Sequence, residues 1–338
     1  MSVRWLFSTI GKRGYIADYL RQSDPQAYIV GTGDNLFAPG FASCDQSVLL
    51  PSIRDSRYLS QVSELVSKHK INAILSFTDP DVAALSTIRA ELSSRGVACF
   101  FPEPDTALFG FDKLETFRWA QENGVSVPHT TADPEKALSE FRFPLIRKPR
   151  FGSASVGVSV IQNADELLPA KEDSTEYIYQ ERIVGQEVNL ELCGDLNGRV
   201  MGVSTWRKLI SRNGETQLAI TTRREDLIEM ALSLGEKARI VGPCDIDIID
   251  QDGKLFLIEF NMRFGGGYPV SHFAGANFLG LLVQAQRGET PPLHTGFLDE
   301  IFMMKSLQPF GGPLGQAANF FHTQPFPSPP KEPIGAVP

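Results

Sequence analysis

Apolar positions along the first hundred residues fall into short runs separated by longer stretches of helical period. Val3 to Ser8 predicts a strand, Gly11 and Gly14 mark a turn, and Tyr15 to Arg21 predicts a helix. Tyr28 to Gly31, bounded by glycine, predicts a second strand. Tyr58 to Lys70 places Leu59, Val62, Leu65 and Val66 on one helical face. Ala73 to Phe77 then predicts a strand, Asp81 to Arg95 a helix, and Val97 to Phe101 another strand. Strand and helix taking turns at this spacing predict α/β architecture, a doubly wound parallel sheet.

The pattern changes at Pro102-Glu103-Pro104, the expected domain boundary. After a helix from Asp112 to Asn123, strands dominate: Phe143–Lys148, Val156–Ile161, Tyr177–Ile183, Glu187–Cys193, Val200–Trp206 and Gln217–Thr222. A helix from Glu225 to Arg239 precedes a hairpin of Asp245–Ile249 and Leu255–Asn261. Helices set apart from antiparallel strands read as α+β. Beyond Pro309, eight of the last thirty residues are proline, which predicts an extended or poorly ordered tail without chemistry.

Composition narrows what such a chain does. Lys+Arg 32 against Asp+Glu 40 gives a net charge of −8, so binding to nucleic acid or an anionic membrane through a basic face is not expected. Arg147-Lys148-Pro149-Arg150 and Arg223-Arg224 suit one small phosphorylated molecule instead. No apolar run approaches the ~20 residues of a membrane span, and Met1-Ser2-Val3-Arg4-Trp5 has no signal-peptide shape. A cytoplasmic protein acting on something small is expected. Cys44, Cys99, Cys193 and Cys244 are too dispersed for a zinc site or a disulfide framework and are expected to be buried thiols. The five histidines are equally scattered, so a catalytic metal is expected to have oxygen ligands.

Four segments carry candidate chemistry. Glu259, Asn261 and Arg263 are two apart, so in a strand they share a face. With Asp245 and Asp247 on the partner strand, that face offers hard oxygen ligands for Mg²⁺ beside a guanidinium that neutralises a transferring phosphoryl group. A solvated face with incidental ion pairs is the alternative. The metal reading requires Asp247 and Glu259 on one face. A two-residue Asp252-Gly253 loop would pair Asp247 with Ile258 and separate the carboxylates, so a three-residue Gln251-Asp252-Gly253 loop pairing Asp250 with Lys254 is expected. The second segment, Lys148-Pro149-Arg150-Phe151-Gly152-Ser153-Ala154-Ser155-Val156-Gly157-Val158, is a small-residue loop whose N–H groups suit phosphate, with charge from Lys148 and Arg150. It is not a P-loop, because Val158 stands where lysine is required. Gly31-Thr32-Gly33 likewise lacks the third glycine of a dinucleotide fingerprint. The third, Tyr179 to Glu187, breaks at Gly185; its free backbone groups suit a purine edge and Glu187 suits ribose hydroxyls, while a plain turn is the alternative. The fourth, Gly265-Gly266-Gly267-Tyr268-Pro269, running on to Ala274-Gly275-Ala276-Asn277, permits close approach of a ligand to backbone or is simply an irregular loop.

Taken in order, KPRFGSASVGV, QERIVGQE, GPCDIDII and IEFNMRFGGGYPVSHFAGAN resemble the ATP-grasp superfamily, nearest to the modules of the carbamoyl-phosphate synthase large subunit. The resemblance covers about residues 1–308. It implies a pre-ATP-grasp domain over 1–103 and an ATP-grasp domain of two α+β subdomains over 104–308, a lid at about 113–180 and a C-terminal part at about 181–308, with the tail 309–338 outside. It further implies that Lys113 and Lys148 contact ATP phosphates, Lys148 also lying near the adenine. Gly152, Ser153, Ser155 and Gly157 would form the phosphate lid, Glu181 and Ile183 the adenine edge, and Glu187 the ribose contact. Asp247, Glu259 and Asn261 would hold Mg²⁺ or Mn²⁺. Arg263 would act catalytically on the transferred group, with Lys148 and Arg212. Arg207, Lys208 and Arg212 would face an anionic substrate, Gly265, Gly266, Gly267 and Ser271 would line its site, and Thr78-Asp79-Pro80-Asp81 matches the family's loop facing the active site. Two departures stand out: Met262 replaces the usual proline, and Asp247 stands where glutamine is common. One module without a glutaminase argues against carbamoyl phosphate as product.

The resemblance thus implies an ATP-dependent carboxylate–amine ligase that forms an amide through an acyl phosphate and releases ADP. Small-molecule carboxylate and amine substrates and a homodimer are the expected partners. Other acceptors (ammonia, carbamate, a thiol or a hydroxyl) and a non-catalytic nucleotide binder are the alternatives.

Overall fold

The computed structural model describes residues 3–152, 156–167, 176–212 and 214–306; Ser153, Ser155 and the proline-rich tail lie outside the described residues. The first sheet is built from β1 (Arg4–Ser8), β2 (Tyr28–Gly33), β3 (Gln46–Leu49), β4 (Ala73–Ser76) and β5 (Ala98–Cys99). All its pairings are parallel and the order is β3-β2-β1-β4-β5, the doubly wound arrangement expected from the sequence. Its connections carry α1 (Tyr15–Ser23), α2 (Tyr58–His69), α3 (Asp79–Ser86) and α4 (Arg89–Ser94). The expected helix 81–95 is therefore two helices, interrupted at Thr87-Ile88, and it starts earlier because Pro80 is well placed in a first helical turn.

Two helices, α5 (Pro104–Phe111) and α6 (Lys113–Glu122), lead out of this layer; Asp112 between them caps α6 by accepting from Leu114 N–H at 3.0 Å. A four-stranded sheet follows, from β6 (Thr130–Thr131), β7 (Leu145–Pro149), β8 (Ser159–Ile161) and β9 (Tyr177–Glu181), in the order β6-β9-β7-β8, with α7 (Pro134–Glu140) and α8 (Ala164–Leu167). It has its own small core of Ala137, Leu145, Ile161, Leu167 and Tyr179.

The third sheet contains β10 (Gln186–Gly194), β11 (Val200–Arg212), β12 (Glu215–Thr221), β13 (Gly242–Gln251), β14 (Lys254–Asn261) and β15 (Phe302–Met304), in the order β14-β13-β10-β11-β12-β15. It is antiparallel throughout, with α9 (Glu225–Ala238), α10 (Tyr268–Phe273) and α11 (Phe278–Gln286) beside it. Val188, Leu190, Leu192, Ile246 and Ile248 point to one face and join Trp5, Phe7, Ile29 and Ile74 of the parallel sheet in one continuous core. Alternation then sends Glu187, Asn189, Glu191, Asp245 and Asp247 to the other face. All four cysteines are buried thiols. Met262 is buried in this core against Gly110, where an added Cβ would lie 2.7 Å from its methyl carbon, and its sulfur is 3.7 Å from the Cys244 thiol. The departure from proline is thus a packing solution. Among the described residues no helix is long and apolar enough to cross a membrane.

Candidate active site

The β13–β14 hairpin sets the site, by a route the sequence did not indicate. Gln251 pairs with Lys254, so the loop has two residues, Asp252 and Gly253, both at positive φ. The expected three-residue loop is absent because the left-handed Asp-Gly pair suits the tight primed turn that matches strand twist. A register shift between Asp247 and Ile248 then makes Ile248 pair with Leu257 and Asp247 with Glu259. Ile258 is the extra residue of this bulge, and it restores the two carboxylates to one face. Asn261 completes the row, donating from Nδ2 to Asp247 Oδ2 at 3.1 Å.

Above this row, between the third sheet and the four-stranded sheet, lies a cavity of about 410 Å³. It brings together Lys113, Lys148, Gly152, Glu181, Ile183, Glu187, Asp247 and Glu259, residues drawn from widely separated motifs. Gly157 sits between the wall residues Val156 and Val158 at φ +75°, where an added Cβ would approach Pro149 to 2.9 Å. Lys113 donates to the Gly152 carbonyl at 2.6 Å and lies 3.6 Å from Glu259. Lys148 is only 6% exposed. Burial lowers it to about 8 despite Glu259 nearby, and no described carboxylate forms an ion pair with it. An ammonium kept dry and unpaired in a cavity wall is a ready partner for phosphate.

Asp247 accepts from Asn189 Nδ2 at 2.8 Å and lies 3.4 Å from Lys208 Nζ. Asn189 also donates to Asp245 at 2.8 Å, and its own Oδ1 is buried without a partner. Burial and the charge of Asp247 push Asp245 up to about 7. Burial raises Glu259 as well, and raises Glu191 with help from Asp245. Such a crowd of carboxylates asks for a cation. The donors Asp247, Glu259 and Asn261 are hard oxygens, but among the described residues no group of three or more His, Cys, Asp or Glu is placed to hold an ion unaided. A magnesium ion completed by phosphate oxygens fits that set.

Arg263, 9% exposed, lies behind this row and is not part of the cavity wall. Its guanidinium bonds Asn261 Oδ1 at 2.7 Å and the Phe264 carbonyl at 3.0 Å, and pairs with Asp79 at 3.4 Å and Asp245 at 3.6 Å. Burial opposes its charge, yet Asp79 and Asp245 outweigh that and hold it above its ordinary value. Asp79 comes from the start of α3, so the parallel sheet supplies a partner for the arginine.

Several expected contacts are corrected. Arg150 is clamped on Asp112 by bonds of 2.6, 2.8 and 2.9 Å and serves the α6 cap rather than phosphate. Lys208 sits between Glu187, at 3.3 Å, and Asp247, in the wall of this same cavity rather than at a separate anion site. Arg207, its neighbour in β11, pairs with core-facing Val188 and so points to the opposite face. Arg212 is exposed at the end of β11, where it pairs with Glu215 across the hairpin turn, and it is not part of the cavity wall. Gly265 N–H donates to Glu191 at 2.7 Å, and Gly266 borders Glu215 and Lys305. Ser271 is fully buried among core residues. Gly267 packs on Trp206, whose indole N–H is fixed to Glu191 at 3.2 Å. A Cβ at Gly267 would lie 2.3 Å from the ring. Gly267→Ala is therefore expected to lower stability by about 1–3 kcal/mol; an unchanged melting temperature would mean that the ring yields.

The sequence reading missed Asn189, Glu191, Arg13 and Tyr15, which no local motif announces. It also missed a second cavity, of about 400 Å³, at the C-terminal ends of β1, β2 and β3, walled in part by Gly11, Lys12, Thr78, Ile53 and Tyr58. Open α/β sheets bind ligands at that edge.

Comparison with known proteins agrees with this architecture. Residues 111–267 match the family model of the ATP-grasp domain, and residues 5–100 match that of the PylC-like N-terminal domain. The first stretch corresponds to the four-stranded sheet with β10 to β14 of the third, and the second to the parallel sheet; in them the chain is similar to an ATP-grasp domain and a PylC-like N-terminal domain. It is 20% identical over 265 residues to the carbamoyl phosphate synthase large chain of Sulfolobus acidocaldarius, covering 72% of this chain and 25% of that one. It is 25% identical over 177 residues to the D-alanine–D-alanine ligase of Pseudomonas putida, covering 46% and 55%. The chain thus spans between a quarter and about half the length of these relatives. Among solved structures, the biotin carboxylase domain dimer of Hydrogenobacter thermophilus 2-oxoglutarate carboxylase, in complex with MgADP and bicarbonate, superposes with a TM-score of 0.73 at 15% identity, covering 89% of this chain and 73% of that one. That likeness is one of fold.

Proposed function

We propose that the protein is an ATP-dependent carboxylate–amine ligase. The observation that carries this reading is the meeting of Lys113, Lys148, Asp247 and Glu259 around one cavity, with Asn261 completing the carboxylate row and Arg263 bonded behind it. The D-alanine–D-alanine ligase and carbamoyl phosphate synthase relatives support the class of reaction.

In this reading residues 1–103 form a substrate-facing domain and 104–308 the ATP-grasp part. Adenine lies along the 181–183 edge, ribose at Glu187, and the triphosphate runs toward Asp247 and Glu259. Asp247, Glu259 and Asn261 hold Mg²⁺ or Mn²⁺, which neutralises phosphate charge when bound. Lys113 and Lys148 steady the phosphates, so that a carboxylate oxygen can approach the γ-phosphorus in line. Attack transfers the phosphoryl group to the substrate and releases ADP. A neutral amine nitrogen then attacks the acyl carbon, the C–O bond to phosphate breaks, and phosphate leaves with the former carboxylate oxygen and the proton shed by the nitrogen. Arg263 stands behind the metal row to stabilise charge on the acyl phosphate. The two sheets exclude water that would otherwise hydrolyse it. A pairwise screen of carboxylates and amines, read as magnesium-dependent phosphate release, tests the proposal. Nucleotide binding with no turnover on any pair would favour a non-catalytic binder.

A further inference from the structure

Arg13, in the loop between β1 and α1, reaches across to the third sheet's edge. Its Nη1 donates to the Phe264 carbonyl at 2.6 Å, the same oxygen that Arg263 Nη1 bonds at 3.0 Å. Two guanidinium groups therefore converge on one carbonyl. Their charges are not matched alike. Arg263 has Asp79 and Asp245, while Lys12 and Lys305 share Glu215. Among the described residues no carboxylate forms an ion pair with Arg13. Burial and the charge of Arg263 push its pKa down, as holding two cations together requires.

Two further polar atoms in this place lack partners. The Tyr15 hydroxyl is buried without a hydrogen bond, and Arg13 is the charge acting on it most strongly, ahead of Glu215, Glu191 and Arg263. Asp79, 8% exposed, uses Oδ2 for Arg263 and leaves Oδ1 buried and unbonded. Buried polar atoms left bare cost about 1–3 kcal/mol each, so a cluster of them beside an unpaired cation points to a ligand. The set is that of an α-amino acid: a guanidinium and a phenol for the carboxylate, a carboxylate oxygen for the amine. The second cavity is walled in part by Lys12 and Thr78, the chain neighbours of Arg13 and Asp79, which do not themselves line it.

We propose that Arg13 and Tyr15 bind the carboxylate of the amine substrate, an α-amino acid, while Asp79 Oδ1 accepts a hydrogen bond from its amino group and so holds the nitrogen beside Arg263, facing the acyl carbon of the acyl phosphate. This rests on the ligase reading above and names the acceptor. Guanidinium and phenol both donate to carboxylate oxygens, and such charge-assisted bonds are short and directional.

The test uses the full chain and a panel of the common amino acids, each beside its amide, in which the carboxylate charge is gone. Wild type is expected to release ADP with one or more amino acids and to discriminate against the matching amide by about 10- to 100-fold. Arg13→Ala is expected to raise KM for the amino acid about 10- to 100-fold with kcat changed less than about threefold, and to erase the discrimination. Tyr15→Phe, which keeps the ring, is expected to raise KM about threefold to tenfold. Binding of a fluorescent ATP analogue is measured in parallel. Loss of that binding in wild type would defeat the ligase reading itself. Turnover with another amine but with no amino acid accepted, or unchanged KM and discrimination in Tyr15→Phe and in a folded Arg13 variant (Ala or Lys), would overturn this inference alone.

Discussion

Replacing Arg263 with alanine is expected to lower kcat by about 10²–10³ while leaving ATP affinity nearly unchanged. The two halves of that expectation have separate grounds. Arg263 does not line the cavity in which we propose that ATP binds, so in that reading ground-state ATP loses no contact. Its donors are instead preorganised by Asp79, Asp245, Asn261 and the Phe264 carbonyl, which fix it beside the metal row before any charge develops. Preorganised donors of this kind act on the transition state. Removing the guanidinium also strands Asp79 and Asp245, so alanine carries a stability cost. Arg263→Lys retains a cation and controls for folding; it is expected to lose most of the same turnover, because ammonium cannot reproduce the four-way geometry. Unchanged kcat in either folded variant would make the arginine structural.

Lys148→Ala is expected to do the reverse, weakening ATP binding by roughly 10- to 100-fold with a smaller effect on turnover at saturating nucleotide. Lys148 stands in the cavity wall and is buried without an ion-pair partner. Its charge is therefore available to phosphate in the ground state, and the loss falls on binding. Titration with a fluorescent ATP analogue reads the effect directly. An affinity within about twofold of wild type would mean that Lys148 only balances Glu259.

How far the chain could be read without coordinates depended on how local each signal was. The alternating strands and helices of the first hundred residues were legible because each apolar run is bounded by turn residues. β3 was not, since Gln46-Ser47-Val48-Leu49 is short and half polar. α11 was missed because Phe278 to Gln286 is apolar on nearly every side and has no period to read. Lys148, Glu187, Asp247 and Glu259, which meet around one cavity, were legible through motifs that each sit in one segment. The hairpin showed the limit of loop arithmetic: the carboxylates do share a face, but through a bulge at Ile258 that compensates for a two-residue loop. Arg150 was misread because its partner, Asp112, lies 38 residues away. Arg13, Tyr15, Asp79 and Arg263 meet only through packing of the parallel sheet on the third sheet. No spacing rule announces such a meeting.

Which phosphorus faces the substrate decides between an acyl phosphate and an acyl adenylate. Glu181 and Glu187 flank the link between β9 and β10, while Asp247 and Glu259 lie across the same cavity on β13 and β14. With adenine and ribose at the former, the far end of the triphosphate meets the latter, which presents the γ-phosphorus. Chromatography of the spent nucleotide, taken from an accepted carboxylate–amine pair with and without Mg²⁺, measures this directly. ADP and phosphate, formed only with Mg²⁺ or Mn²⁺, are expected. AMP and pyrophosphate as the main products would contradict the acyl-phosphate ligase reading.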